Sequence, residues 1–431
     1  MWRVTGLVAL YGANAIGALG SLLVIRFATS WAGFGSYAQI ALYFLSFAVL
    51  QALEPAVIRK AVDVRGGAVG NARVGDLFVA WTIFSLGVGL FLSLALAELV
   101  FSSTMGAGTA FLLLVTGVVD YVLGAPILRK TVDYSVADDQ AGMALVAFIQ
   151  NASRFTVLLL LLWVGEGHAT YVWLLPLRRL LDYFALRLMD AGATRQKTAF
   201  TIGAGLGLLS EGLVAFGSTI IWLLLATEGI GLLVYLNFGE AEFGRYRALF
   251  DLASKLWFIT SVFPLLLYPK LRKIGLGPRA LRLLRGIFLI SLCSYLFVAI
   301  LGLQLAPSLF PILFPSLTNL EWLFFLVLLG VALTAHARFG LECLQAFGAP
   351  RKAALAAATF AFMMLGVFQL LAQNFAVTVA VGGAWFVSAT VLAIGVDERV
   401  LALAGASPLV RALVPLQMCA LLIAGATIMW T

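Results

Sequence analysis

The chain of 431 residues is 62% hydrophobic and only 11% charged, with a net charge of +8. Soluble globular domains carry roughly a quarter charged residues, so this composition excludes a soluble domain and points to a polytopic membrane protein. The positive charge would suggest nucleic acid in a soluble chain; here it is divided among short loops, and no nucleic-acid partner is expected.

Apolar runs of the length a bilayer demands, roughly 17–25 residues, occur near 4–27, 35–57, 76–98, 107–128, 142–164 and 169–188. A second set of six follows near 205–236, 244–267, 284–306, 320–341, 353–373 and 376–396, and residues 412–430 form a further run that makes a thirteenth span an alternative. The first run carries one basic residue and no soluble region behind it, so it is read as a retained span and not a cleaved leader. Cys293, Cys343 and Cys419 fall in apolar segments without a C-x-x-C pair, which suits buried small hydrophobes better than metal ligands or a disulfide framework.

Orientation follows from lysine and arginine in the short loops. Arg59, Lys60, Arg65 and Arg73, then Arg129 and Lys130, then Arg187, Arg195 and Lys197 mark alternate loops. In the second half Lys270, Arg272, Lys273, Arg279, Arg282 and Arg285, then Arg351 and Lys352, then Arg399 and Arg411 continue the pattern. The intervening loops, including 102–108 and 165–168, are nearly free of basic residues. Every basic loop thus lies on one side, and the N-terminus is expected in the cytoplasm.

Charges inside spans are expensive and therefore expected to face a partner or a wet cavity. The basic candidates are Arg26, Arg154, Arg178, Arg179 and Lys255; the acidic ones are Asp120, Asp182, Glu211, Glu228 and Asp251. Asp182 is four residues from Arg178 and three from Arg179, and Asp251 is four from Lys255 with Arg247 one turn earlier, so both clusters also read as internal ion pairs. Arg154 has no acid within a turn; Gln150 shares its face and Asn151 adds polarity beside it. It reads as a cavity site or as a cross-helix pair to Asp120. Arg26 lies near the outer interface, where snorkelling rivals a site role. Glu54, before Pro55, reads as interfacial, and His336 as a lone hydrogen-bonded histidine.

The chain also repeats itself. Phe34, Gly35, Tyr37 and Pro55 recur as Phe243, Gly244, Tyr246 and Pro264, a constant offset of 209 residues shared by Gly20/Gly229 and Arg129/Arg338. An even number of spans separates the copies, so they form a parallel repeat. The expected fold is all-α, with six-helix bundles at 1–200 and 201–396 and a C-terminal segment at 397–431. A transporter of two matching bundles places its substrate path between them.

The stretches GFGSY, EPAVIRK and TEGIGLLVYLNFGEAEFGRY resemble the Wzx-like oligosaccharide flippases, the polysaccharide-transport branch of the multidrug/oligosaccharidyl-lipid/polysaccharide exporter superfamily. Glu228 stands where many members carry an acid before the second Gly-x-Tyr element. The resemblance implies a MATE-like exporter fold with a central cavity. It also implies transport of undecaprenyl-pyrophosphate-linked oligosaccharide from the cytoplasmic to the periplasmic leaflet of the inner membrane, beside the polysaccharide assembly machinery.

A pyrophosphate crossing a bilayer needs guanidinium forks, which take phosphate oxygens bidentately and keep their charge. Arg154, Arg26, Lys255, Arg178 and Arg179, with Gln150 and Asn151, are the expected substrate-binding residues. Glu211, Glu228, Asp120 and Asp251 are the candidates for proton or sodium coupling. The rival readings are a drug exporter of the same superfamily, which favours an acidic cavity, and a membrane polymerase, which would need a sizeable extramembrane domain. There is no G-x-x-x-x-G-K-[ST] and no metal-ligand spacing, so neither nucleotide hydrolysis nor a cofactor is expected.

The orientation is testable by labelling. Single cysteines at Ser103 and Gly167 should react with an impermeant thiol reagent from the periplasmic side, and cysteines at Gly67 and Gly277 should not. The reverse pattern inverts the topology.

Overall fold

The computed structural model describes residues 2–27, 33–65, 70–92, 107–137, 139–164, 168–189, 201–257, 277–313 and 321–412, with short pieces at 94–95, 268, 271–272, 274–275 and 315. The described residues are almost wholly helical, as hydrocarbon requires: without water, each backbone N–H and C=O must find its partner within the segment. In chain order the helices are α1 (Trp2–Phe27), α2 (Gly33–Arg65), α3 (Gly70–Phe84), α4 (Ala107–Val136), α5 (Gln140–Val164) and α6 (His168–Met189). There follow α7 (Ile202–Phe238), α8 (Glu240–Ala253), α9 (Pro278–Leu313), α10 (Glu321–Ala346), α11 (Pro350–Ala372) and α12 (Val377–Leu403). Each of the twelve predicted spans overlaps one of these helices, and residues 258–267 of the eighth lie outside the described residues. Among the described residues, Arg73–Leu92 and helices α7, α10, α11 and α12 are long and apolar enough to cross a membrane. The apolar run at 412–430 lies outside the described residues, apart from its first position.

Two compact units divide the chain at 224/225. The sequence-based boundary at 200/201 falls before α7, whereas the packing keeps the first part of α7 with the first unit. Glycines explain this. A Cβ on Gly205 would meet the Asp76 carbonyl oxygen, and one on Gly212 would meet Lys60 Cβ at 2.9 Å. Each glycine therefore lets α7 approach α3 or α2 at backbone distance.

Inside the first unit, Leu50, Leu53 and Val57 of α2 pack with Leu77 and Trp81 of α3, Tyr121 and Leu128 of α4 and Leu209 of α7. Both α3 and α7 widen into a π turn, at Ser85–Gly89 and Leu213–Gly217. Gly89 closes on Leu50 and Gly217 on Leu53, so the two widened turns seat against the same stretch of α2. On the far side α1 packs along α5, where the Asn151 side chain donates to the Ala13 carbonyl at 2.8 Å.

The second unit is organised on α10, which packs against α8, α9, α11 and α12. Helices α10 and α12 lie close because Gly382 faces Leu326, and a Cβ on Gly330 would meet Trp385 Cβ at 2.9 Å and its backbone carbon at 3.1 Å. Trp385 then stacks on Phe250 of α8 and donates to the Tyr246 hydroxyl at 3.2 Å. Tyr246 and Phe243 of the repeated element are thereby buried in the core. Helix α10 ends in a Schellman turn: Gly348 takes φ +77°, its N–H donates to Gln345, and Ala349 N–H donates to Leu344. Pro350 then opens α11 at a position that needs no N–H donor.

Cys343 is buried, but Cys293 lies exposed on α9, contrary to the expectation of burial, and Cys419 lies outside the described residues.

Gly330→Val should lower stability by about 1–3 kcal/mol, the usual cost of overpacking a filled site. Gly286→Ala, where a Cβ meets nothing within 4 Å, should be neutral or stabilising by up to about 1 kcal/mol. Thermal unfolding in detergent compares the two directly.

Candidate functional site

The polar centre of the first unit grows from the middle of α6, where the sequence LPLRRLLDYF places three charges within five residues. Pro176 lacks an N–H, which loosens the backbone just before them. Arg179 reaches across to α4 and grips Asp120 with both ends of its fork, Nε to Oδ1 at 2.6 Å and a terminal nitrogen to Oδ2 at 3.2 Å. The same terminal nitrogen lies 3.9 Å from Glu54 on α2. One guanidinium therefore ties three helices, and it is buried in doing so.

Asp182 is completely buried (0% exposed). It accepts a hydrogen bond from the Ser153 hydroxyl of α5, and Arg178 Nε stands 3.9 Å from its other oxygen. The serine that makes this contact precedes Arg154 directly. Three carboxylates, Glu54, Asp120 and Asp182, thus meet two guanidiniums, Arg178 and Arg179.

The structure gives several of the predicted residues partners. Asp120, considered for Arg154, is gripped by Arg179. Glu54, read as interfacial, is half-buried and lies 3.9 Å from Arg179. Asn151 donates to the Ala13 carbonyl and so holds α1 against α5, and Gln150 is half-buried. The side chains of Arg26 and Arg154 lie outside the described residues.

A second polar contact holds the start of α7. Lys60 meets Glu211 at 2.6 Å, and the Thr201 N–H donates to Asp76 Oδ1 at 2.8 Å. The carboxylate of α3 therefore caps the first turn of α7, satisfying a donor that the helix itself cannot. The Glu211 side chain is 66% exposed, so the ion pair adds little by itself.

In the second unit Arg247 is the centre, and no sequence expectation had given it a site role. It contacts Glu228 of α7 at 2.5 Å and Asp251 at 3.1 Å, and its guanidinium lies 5.6 Å from the Phe250 ring centre. The backbone tightens to a 3-10 turn at Ser254–Leu256. This shifts the register in which Lys255 leaves the helix relative to Asp251. Lys255 is half-buried.

The largest surprise is His336. It is 1% exposed and bonded on both ring nitrogens, to Asp397 Oδ2 at 2.9 Å and to Ser291 Oγ at 3.2 Å. Asp397 follows the predicted end of its span at 396 and looks like a loop charge in the sequence. Helix α12 continues to Leu403 and carries it into the interior.

No protein-family model matches this sequence, and no curated protein matches it either. The architecture, however, matches solved structures over nearly its whole length. The lipid II flippase MurJ in an inward closed conformation aligns with 98% of this chain and 93% of its own, at TM-score 0.64 and 13% identity. An inward-facing multidrug resistance MATE family transporter of the MOP superfamily covers 91% and 96%, at TM-score 0.61 and 15% identity. A MOP superfamily transporter from Pyrococcus furiosus, described as having a binding pocket of reverse polarity, covers 94% and 97%, at TM-score 0.58 and 14% identity. The chain has the MATE/MurJ fold. It is a multi-pass membrane protein.

Removing Arg179 would leave Asp120 and Glu54 without the guanidinium that joins them. Arg179→Ala is expected to cost about 3–5 kcal/mol, the range for breaking a buried pair from one side. The double variant with Asp120→Ala should regain a large part of that loss, as measured by thermal unfolding in detergent.

Proposed function

We propose that the protein is a flippase for lipid-linked oligosaccharides. It moves undecaprenyl-pyrophosphate-linked units from the cytoplasmic to the periplasmic leaflet of a bacterial inner membrane by alternating access, for cell-surface polysaccharide such as O-antigen or exopolysaccharide. The observation that carries this reading is the concentration of arginines at mid-helix depth in the first unit. Arg178 and Arg179 stand at the centre of α6, and Arg154 lies in the interior of α5 beside the serine that contacts Asp182.

Guanidinium groups at that depth suit a doubly anionic headgroup, whose charge hydrocarbon does not tolerate. Arg179 is committed to Asp120 and Glu54, so the proposal assigns it to holding the bundle together. Arg154, Arg26 and Arg178, the last facing Asp182 at 3.9 Å, are assigned to the pyrophosphate with Gln150, and Lys255 is a separate candidate in the second unit. The lipid II flippase among the solved structures of this fold supports a lipid-linked cargo.

A second reading, export of organic cations, is favoured by one feature: the carboxylates of Glu54, Asp120 and Asp182 outnumber the two guanidiniums they face. A deletion strain separates the two readings. Loss of a flippase leaves lipid-linked repeat units in the cytoplasmic leaflet, whereas units that reach the periplasm unpolymerised would sink the flippase reading. Within it, Arg154→Ala should reduce flipping at least about tenfold at unchanged abundance, the scale of one charge-assisted hydrogen bond at roughly 1.5–3 kcal/mol. Arg154→Lys should recover only part, because a point charge lacks the fork. Full activity of the alanine variant removes Arg154 from the site.

A further inference from the structure

We propose that His336 and Asp397 form a reversible proton-binding site inside the second unit, and that its charge state sets how tightly α12 packs against α10. Its use in transport rests on the reading above; the site itself does not.

The acidic groups named from the sequence are poor candidates for this task. Asp120, Glu228 and Asp251 pair with arginine, and Glu211 with lysine. Arginine keeps its charge at any working pH, so its pairs act as fixed ties. Histidine is the side chain whose charge changes between about pH 5 and pH 8. His336 has the geometry to accept that change without losing a bond. When it is protonated, both ring nitrogens donate, one to the Asp397 carboxylate and one to the Ser291 hydroxyl. When it is neutral, Nε2–H still donates to Asp397, and Ser291 turns its hydroxyl to donate to Nδ1. The hydrogen-bond network therefore survives both states, and only the charge differs.

That difference has consequences for packing. The protonated pair is neutral as a whole, so it tolerates burial. After proton loss a single negative charge remains on Asp397, itself 1% exposed, and its Oδ1 has no hydrogen-bond partner among the described residues. A buried, uncompensated carboxylate disfavours the dry arrangement, and the relief is water entering beside it. Helices α10 and α12, in backbone contact at Gly330 and Trp385, would then part at their C-terminal halves.

Among the described residues the neighbouring charges are few. On α10 itself the charged residues are Glu342 and Arg338, and Arg272 donates to the Ala346 carbonyl at the C-terminal end of that helix. From α9 the facing groups are Ser291 and, one turn on, Tyr295. Helix α11 contributes only Arg351 and Lys352 in its first turn, both exposed. On α12 Glu398 pairs with Arg411, and Arg399 donates to the Lys352 carbonyl. On the α8 side Arg247 and Asp251 are tied together, and Lys255 lies in the turn beyond.

The full chain contains two histidines, so nitrogen-15 histidine NMR in nanodiscs reads the site directly, with His168→Gln assigning the other signal. A change of the His336 signal between its doubly and singly protonated forms as pH is varied is the expected result. A single protonation state throughout would overturn the proposal without any variant being made. In a chain with its three cysteines replaced, spin labels at Phe347 and Ala402 should show a longer distance at high pH than at low pH. His336→Gln and Asp397→Asn should each abolish that shift, and a shift that persists in both variants would equally overturn it. Neither measurement involves a substrate, so failure of the flippase reading would leave these outcomes unchanged.

Discussion

The structure depends on a single constraint: a charge taken into hydrocarbon must bring its partner with it. The clearest instance is Arg179, whose fork closes on Asp120 while its outer nitrogen approaches Glu54. Three helices are fixed by that one side chain, because none of the three charges is tolerable alone. Arg247 does the same for α7 and α8 in the second unit, between Glu228 and Asp251. In each unit an arginine thus decides which acidic helices are neighbours, and the apolar packing fills in around that choice.

Apolar packing in a membrane has no hydrophobic drive of the aqueous kind, so helix association relies on close approach. Small residues supply it. Gly205 and Gly212 bring α7 onto α3 and α2, and Gly330 with Gly382 bring α10 onto α12. The close contact of α10 and α12 also places Asp397 within reach of His336. The polar pair and the glycine face are therefore one design: without backbone contact the carboxylate would stand too far from the imidazole, and without the imidazole it would not be tolerated inside.

Fixed and switchable ties have different uses. Pairs built on arginine hold their geometry whatever the proton concentration. The His336–Asp397 pair, proposed above as a proton-binding site, has hydrogen-bond partners on both ring nitrogens in either charge state, which is the property needed to bias one packing over another. The π turns at Ser85–Gly89 and Leu213–Gly217 add local freedom where α3 and α7 meet α2, since a widened turn gives up one regular hydrogen bond and bends more readily.

By itself the sequence determined the class, the approximate position of every described helix and the all-α architecture, because those follow from hydropathy and from the demand that backbone polar groups be satisfied locally. It also showed which charges lie at membrane depth. It did not show which acid meets which base. Asp120 was considered for Arg154, and it is gripped by Arg179, 59 residues from it in the chain; Asp397 stands one residue past the apolar run that ends at 396, and α12 runs on to Leu403. His336 looked solitary because its partner lies 61 residues away. Pairing between helices is set by rotation, offset and close approach at glycine, and these arise only when the helices pack.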